Sequence, residues 1–174
     1  MHEAQQVFEG MTYADMERAA SVLIDGEISM LANMGNVAAL IYNGMPDLNW
    51  FGFYLFNGTE LTLGPFQGRP ACARIALGKG VCGTAASERM TVVVPDVLLF
   101  PGHIACDANS RSEIVVPLLK DGHLLGVLDA DSPVASRFGE EEQSFLERIA
   151  ALLCRVSEPD WHRGRPPSRI PPSP

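Results

Sequence analysis

The chain is short of positive charge. Its 13 Lys and Arg stand against 21 Asp and Glu, a formal net charge of −8. Phosphate contacts need a basic face, so this balance argues against a general nucleic-acid binder and against an anionic membrane surface. Long apolar runs are missing too, and none approaches the roughly 20 residues of a membrane span. The opening stretch MHEAQQVFEGMTYADMERAA lacks the basic-then-apolar order of a signal peptide. The expected compartment is therefore the cytoplasm, where structural disulfides rarely persist and clustered thiols are more often redox groups or metal ligands. Closely spaced cysteine pairs are absent as well. Structural zinc usually takes a C-x₂₋₄-C pair. His103 and Cys106 have a ligand-like spacing but no second such pair, so no metal is expected. ALGKGVCGTA lacks the P-loop pattern, which argues against nucleotide hydrolysis.

What the chain does have is thiols in one place. Three of its four cysteines, Cys72, Cys82 and Cys106, fall within residues 70–109. The fourth, Cys154, falls on or beside the apolar face of a C-terminal helix and reads as a core residue.

The 174 residues suit one domain with a real core. Residues 12–34 read as a helix. Thr12 and Asp15 form its capping box, and Met16, Ala20, Leu23, Ile24, Ile28 and Leu31 form its stripe. A break is expected at Gly35, then a short second helix stopping at Asn43-Gly44. NWFGFYLFNGTELTLGPF predicts a hairpin around Asn57-Gly58. ARIAL reads as a short strand, GVCGTAASE as a short helix, and MTVVVPDV as a strand ended by Pro95. Residues 97–111 show no period. SEIVVPLLKDGHLLGVLDADS predicts a second hairpin at Asp121-Gly122. FGEEEQSFLERIAALLCRVSE predicts a closing helix that buries Phe145, Leu146, Ile149, Leu152, Leu153 and Val156. From residue 158 the chain turns proline-rich and basic, the composition of a disordered tail. The expected architecture is α+β: a central antiparallel sheet, N- and C-terminal helices on one face, and a loop-covered ligand pocket on the other.

Several residues stand out chemically. Trp50 and Tyr54 share a strand face, with Gly52 between them lowering the local bulk and leaving room for a ligand. Asp129 and Asp131 share a face after the apolar run LLGVL. Two acids there are costly in a dry core and better placed in a pocket or at the strand end. Cys106 sits in a polar loop between His103 and Asn109.

The hairpin IVVPLLKDGHLLGVLDADS followed by FGEEEQSFLERIAALL resembles the C-terminal half of a GAF domain. The cysteine spacings, the WFGFY strand, Glu113, Asp129 and Asp131 narrow the resemblance to the free methionine-(R)-sulfoxide reductases, over roughly residues 10–157. The resemblance implies a GAF domain at 1–157, a tail at 158–174, and reduction of the free R epimer to methionine. It implies Cys106 as nucleophile, Cys72 as the principal resolving thiol and Cys82 as an auxiliary thiol. Glu113, Asp129 and Asp131 would line the substrate pocket, with Trp50 and Tyr54 as its aromatic side. No cofactor is implied. Thioredoxin or a similar dithiol protein is the implied reductant, and a homodimer the implied assembly.

The chemistry needs these residue types. A thiolate attacks the sulfoxide sulfur, and the oxygen leaves easily only if protonated. The resulting sulfenic acid condenses with a second thiol to a disulfide. A dithiol then resets the pair by exchange. Buried carboxylates would pair with the α-ammonium that only a free amino acid carries. Carboxylates near Cys106 also raise its pKa, with His103 and Arg111 as counterweights. Glu113, nearest to Cys106 in sequence, is the expected proton donor. Loops 65–80 and 95–111 are expected as mobile covers that bring Cys72 to Cys106. The competing reading is a ligand-sensing GAF module that binds a cyclic nucleotide, amino acid or tetrapyrrole without turnover. Such a module leaves the three thiols unused and normally sits beside an output domain.

Overall fold

Alternation along WFGFYLF sets up the sheet, because successive strand residues point to opposite faces. The computed structural model describes residues 8, 10–27, 29–102, 108–157 and 159. Six strands are present: β1 (Trp50–Phe56), β2 (Glu60–Gly68), β3 (Arg74–Ala76), β4 (Val92–Val94), β5 (Ser112–Lys120) and β6 (His123–Ser132). They form one sheet in the order β3-β2-β1-β6-β5-β4, and every neighbouring pair is antiparallel.

Both expected hairpins form. In the first, Asn57 Oδ1 accepts hydrogen bonds from the backbone N–H groups of Thr59 and Glu60, each at 3.0 Å. In the second, Asp121 and Gly122 both take left-handed conformations, with φ of 51° and 78°. Two consecutive positive φ values are what a type I′ turn requires, and Asp-Gly supplies them cheaply.

Four helices complete the described fold: α1 (Tyr13–Leu23), α2 (Met30–Gly44), α3 (Gly80–Glu88) and α4 (Glu140–Val156). The Thr12–Asp15 capping box is present at the start of α1. The single helix expected over 12–34 is instead two. The chain breaks after Leu23, with Gly26 at φ 76°, and restarts behind a Ser29 cap. Gly35 does not break anything; it lies inside α2. Its cost there is about 1 kcal/mol relative to Ala. The burial of Met34, Val37, Ala38 and Ile41 around it outweighs that. Two expected core positions are also corrected. Leu23 is 45% exposed and Val156 37% exposed, since each sits in the last turn of its helix, past the packed stretch. Ile28 lies outside the described residues.

The two sheet faces carry two separate cores. Phe51, Phe53, Ile114, Val116, Leu128 and Ala130 meet α1, α2 and α4 on one face. Cys154 belongs to this core, where burial pushes its thiol up to about 11. Trp50, Tyr54, Val115 and Val127 point the other way and pack with residues of α3. The α+β layering with helices on one face is therefore as expected. The covers differ in detail. Residues 65–68 belong to β2 and 74–76 form β3, so 65–80 is not one loop. A short 3₁₀ turn occupies 97–99. No described helix is long and apolar enough to cross a membrane. Of the proposed tail, all but Pro159 lies outside the described residues.

Candidate active site

Strand register assembles the site. On the face away from α1, α2 and α4, Trp50 pairs with Asp131 and Asp131 with Glu113, in one row across β1, β6 and β5. The next row along that face is Gly52, Asp129 and Val115. Two-residue spacing thus puts three carboxyl groups and the Trp50–Tyr54 pair on one surface. The sequence expectation that they gather is met for Trp50, Tyr54, Glu113, Asp129 and Asp131.

Helix α3 adds a thiol from above. Its entry needs Gly80 at φ 60°, which places Cys82 in the first turn facing the sheet. Cys82 Sγ lies 3.2 Å from Asp129 Oδ2 and 3.9 Å from Glu113 Oε1. All three residues are buried, with Cys82 4%, Glu113 6% and Asp129 5% exposed. Asp129 Oδ1 is buried with no hydrogen-bond partner among the described residues.

Crowding acids out of water changes their protonation. Burial pushes Glu113 well above the usual carboxyl range, and the neighbouring charges of Asp129 and Asp131 push it further. Burial raises Asp129 to about 7, while the Cys82 thiol that donates to it pulls the other way. Burial also drives the Cys82 thiol well above its ordinary value, reinforced by Asp129 and Glu113. Tyr54 is raised by burial and then by Asp129. At neutral pH this is a site rich in protons.

Asp129 titrates near 3.8 when unpaired and about 7 in the fold, so the folded state holds its proton longer. That contribution is complete below about pH 4 and is lost as pH rises through about 7. Asp129→Asn has no such loss. The melting temperature of Asp129→Asn minus that of wild type should therefore grow from about pH 5 to about pH 8. A difference that stays flat or shrinks over this range, in paired melting curves, contradicts the assignment.

The aromatic wall is a stack. The rings of Trp50 and Tyr54 lie 5.9 Å apart at 23°, and Phe66 covers the Trp50 ring at 5.4 Å and 12°. The Trp50 indole N–H donates to the Arg69 carbonyl at 3.1 Å. One expectation fails here: Gly52 does not leave open room. A Cβ built on Gly52 meets Trp50 Cη2 at 2.7 Å and Phe66 Cβ at 2.4 Å, so the Trp50 ring and the Phe66 Cα–Cβ already fill that space.

The thiols are in different states. Cys72 is disulfide-bonded and half-buried, packed with Phe100 against the second core. Cys82 and Cys154 are free. Cys106 and His103 lie outside the described residues. Arg111, expected as a counterweight for Cys106, is exposed and forms an ion pair with Asp96 at 2.9 Å.

Cys82 Sγ and one carboxyl oxygen each of Glu113 and Asp129 all lie within 4.8 Å of one another. Such a donor set, once deprotonated, is of a kind that could take a cation. Zinc favours nitrogen and sulfur donors, and this set offers one thiol and no imidazole. An alkylammonium suits the two carboxyls better. Sequence reasoning missed the Cys82–Asp129 contact, the Phe66 stack and the Arg69 carbonyl. Alternation from Leu61 and Leu63 would put Phe66 on the opposite face, and the register shift between Gly52 and Tyr54 turns it toward Trp50.

Comparison with known proteins gives the family. The GAF domain model matches residues 17–155. The free methionine-R-sulfoxide reductase of Escherichia coli is 49% identical over 144 residues, 83% of this chain and 87% of that protein. The fRMsr of Staphylococcus aureus in its reduced form superposes with a TM-score of 0.82 at 49% identity, covering 85% of this chain and 96% of that one. The free methionine-R-sulfoxide reductase of Neisseria meningitidis, solved in complex with its substrate, gives 0.80 at 43% identity, covering 83% and 87%. With three buried or half-buried carboxyls, an aromatic wall and thiols on one sheet face, the chain belongs to the GAF domain family and, within it, to the free methionine-R-sulfoxide reductases.

Proposed function

We propose that this chain reduces free methionine-(R)-sulfoxide to methionine by thiol chemistry. The observation that carries the reading is the acidic row beside the aromatic stack. Carboxyl groups at Glu113, Asp129 and Asp131 suit an α-ammonium, and Trp50 with Tyr54 suits a methyl-sulfinyl group.

Cys106 attacks the sulfoxide sulfur as thiolate, and as the adduct collapses the oxygen passes to the Cys106 sulfur. The electron pair of the broken S–O bond stays on the substrate sulfur, which leaves as the thioether. The protonated carboxyl of Glu113 delivers its proton to that oxygen, giving Cys106 sulfenic acid. Cys72 then condenses with the sulfenic acid and releases water. That Cys72 is oxidised while Cys82 and Cys154 are free supports this division of labour. An external dithiol protein of the thioredoxin type returns the disulfide to two thiols. We assign the protein to the cytoplasm, where such reductants operate. A homodimer through its helices is the proposed assembly, supported by the exposed Val22 and Leu23 at the end of α1.

The auxiliary redox role implied for Cys82 fits its setting poorly. Its thiol is buried, donates to Asp129 and is held protonated. We assign it to the acid cluster instead. Cys82→Ser keeps a donor there and should hold kcat/KM within about threefold of wild type. Loss of turnover in a folded Cys82→Ser protein would return Cys82 to the disulfide chemistry.

The reading is tested in a coupled assay with thioredoxin, its reductase and NADPH. NADPH loss is expected with the free R epimer and not with the S epimer or N-acetylated substrate. No NADPH loss, and no methionine with dithiothreitol either, favours the ligand-sensing module.

A further inference from the structure

The Trp50 indole is held at several points. Its N–H is tied to the Arg69 carbonyl. A Cβ on Gly68 would meet Trp50 Cδ1 at 2.7 Å, and one on Gly52 would meet Cη2 at 2.7 Å. The ring therefore lies flat over two positions that tolerate only glycine. Gly68 has φ 122° in addition, a conformation side chains rarely adopt. Tyr54 and Phe66 both stack with the Trp50 ring. Phe66 sits directly opposite Gly52 on β2, at a shift in the β1–β2 register. Of these restraints, four are backbone or belong to the acidic site. Phe66 is the one that consists of a replaceable side chain outside it.

We infer that Phe66 is a positioning residue that fixes the Trp50 ring and thereby sets the size of the S-alkyl group the site accepts. The inference rests on the proposed reductase activity and on Trp50 as part of its substrate wall. Phe66 touches no substrate in this account; it acts through the ring beside it. The Trp50 ring lies against Gly52 at one end and Gly68 at the other, and the stacked Phe66 ring limits how far its plane can shift. A smaller or more flexible side chain at 66 loosens the stack. The indole can then give way to an alkyl group longer than methyl, and its contact with a methyl group is loosened.

The test compares free methionine-R-sulfoxide with its S-ethyl homologue, ethionine-R-sulfoxide, for wild type, Phe66→Leu, Phe66→Met and Phe66→Tyr. One methylene in a tight apolar site discriminates by about 10- to 200-fold, and wild type should prefer the methyl substrate by a factor in this range. Phe66→Leu should narrow the preference by about tenfold, mainly through a higher KM for the methyl substrate with kcat little changed. Phe66→Tyr keeps the stacked ring and should keep the preference. The ratio of the two substrates is measured on the same preparation, so loss of folded protein cancels. Phe66→Met supplies the same reading if Phe66→Leu does not fold. A ratio unchanged in an active Leu or Met variant, with both substrates falling together, overturns the inference and leaves the reductase reading standing. Wild type inactive on both substrates overturns both.

Discussion

Cys106→Ser should abolish methionine production. The serine hydroxyl is a poor nucleophile toward sulfur at neutral pH and forms no sulfenic acid, so neither half of the cycle can proceed. Loss of a covalent nucleophile costs on the order of 10⁴-fold or more, which in this assay means background. Binding should survive, because the ammonium and methyl-sulfinyl groups are held by Glu113, Asp129, Asp131, Trp50 and Tyr54 in this account. The check is a turnover assay beside calorimetric titration with free methionine. A Cys106→Ser protein that still turns over would move the nucleophile to another thiol. Cys82 is then the poorest choice, because its thiol is buried and pushed well above its ordinary value.

Glu113→Gln should lower kcat by about 10²–10⁴-fold, the usual worth of a positioned general acid. The substitution keeps size and hydrogen bonding but removes the ionisable proton. Glu113 is chosen over Asp129 because its carboxyl is raised by burial and by two neighbouring acids, so it holds its proton more firmly. Asp129 titrates near neutrality and accepts from Cys82, which fits it better to charge pairing with an ammonium. KM should change less than kcat, because the loss falls on the transition state. Near-normal kcat in Glu113→Gln removes Glu113 from the acid role and passes it to Asp129.

Much of this was legible in the sequence for physical reasons. Strand alternation alone placed Asp129 with Asp131, and Trp50 with Tyr54, on common faces, and register then joined the pairs. Asp121-Gly122 named its own turn, because few dipeptides take two positive φ values. Register across the first hairpin was not legible. A two-residue turn at Asn57-Gly58 would pair Phe56 with Thr59, whereas Phe56 pairs with Leu61. A further shift between Gly52 and Tyr54 puts Phe66 opposite Gly52. The first is a longer turn held by Asn57 and the second an irregularity between β1 and β2, and neither shows in the hydrophobic pattern. They hid the Phe66 stack and reversed the meaning of Gly52. The break at Gly26 was hidden similarly. Gly26 and Gly35 look alike in sequence, and only the burial around α2 decides which one interrupts the helix.

The central claim is that one sulfoxide is reduced by one pair of thiols, Cys106 and Cys72, with Cys82 held apart in the acid cluster. Single turnover tests it most directly. Fully reduced protein is mixed with excess free methionine-R-sulfoxide and no external reductant, then alkylated, digested and mapped by mass. The expected result is one methionine per chain, a peptide pair linking Cys72 to Cys106, and Cys82 and Cys154 alkylated as free thiols. A disulfide containing Cys82, or methionine formed with all four thiols still free, would contradict it.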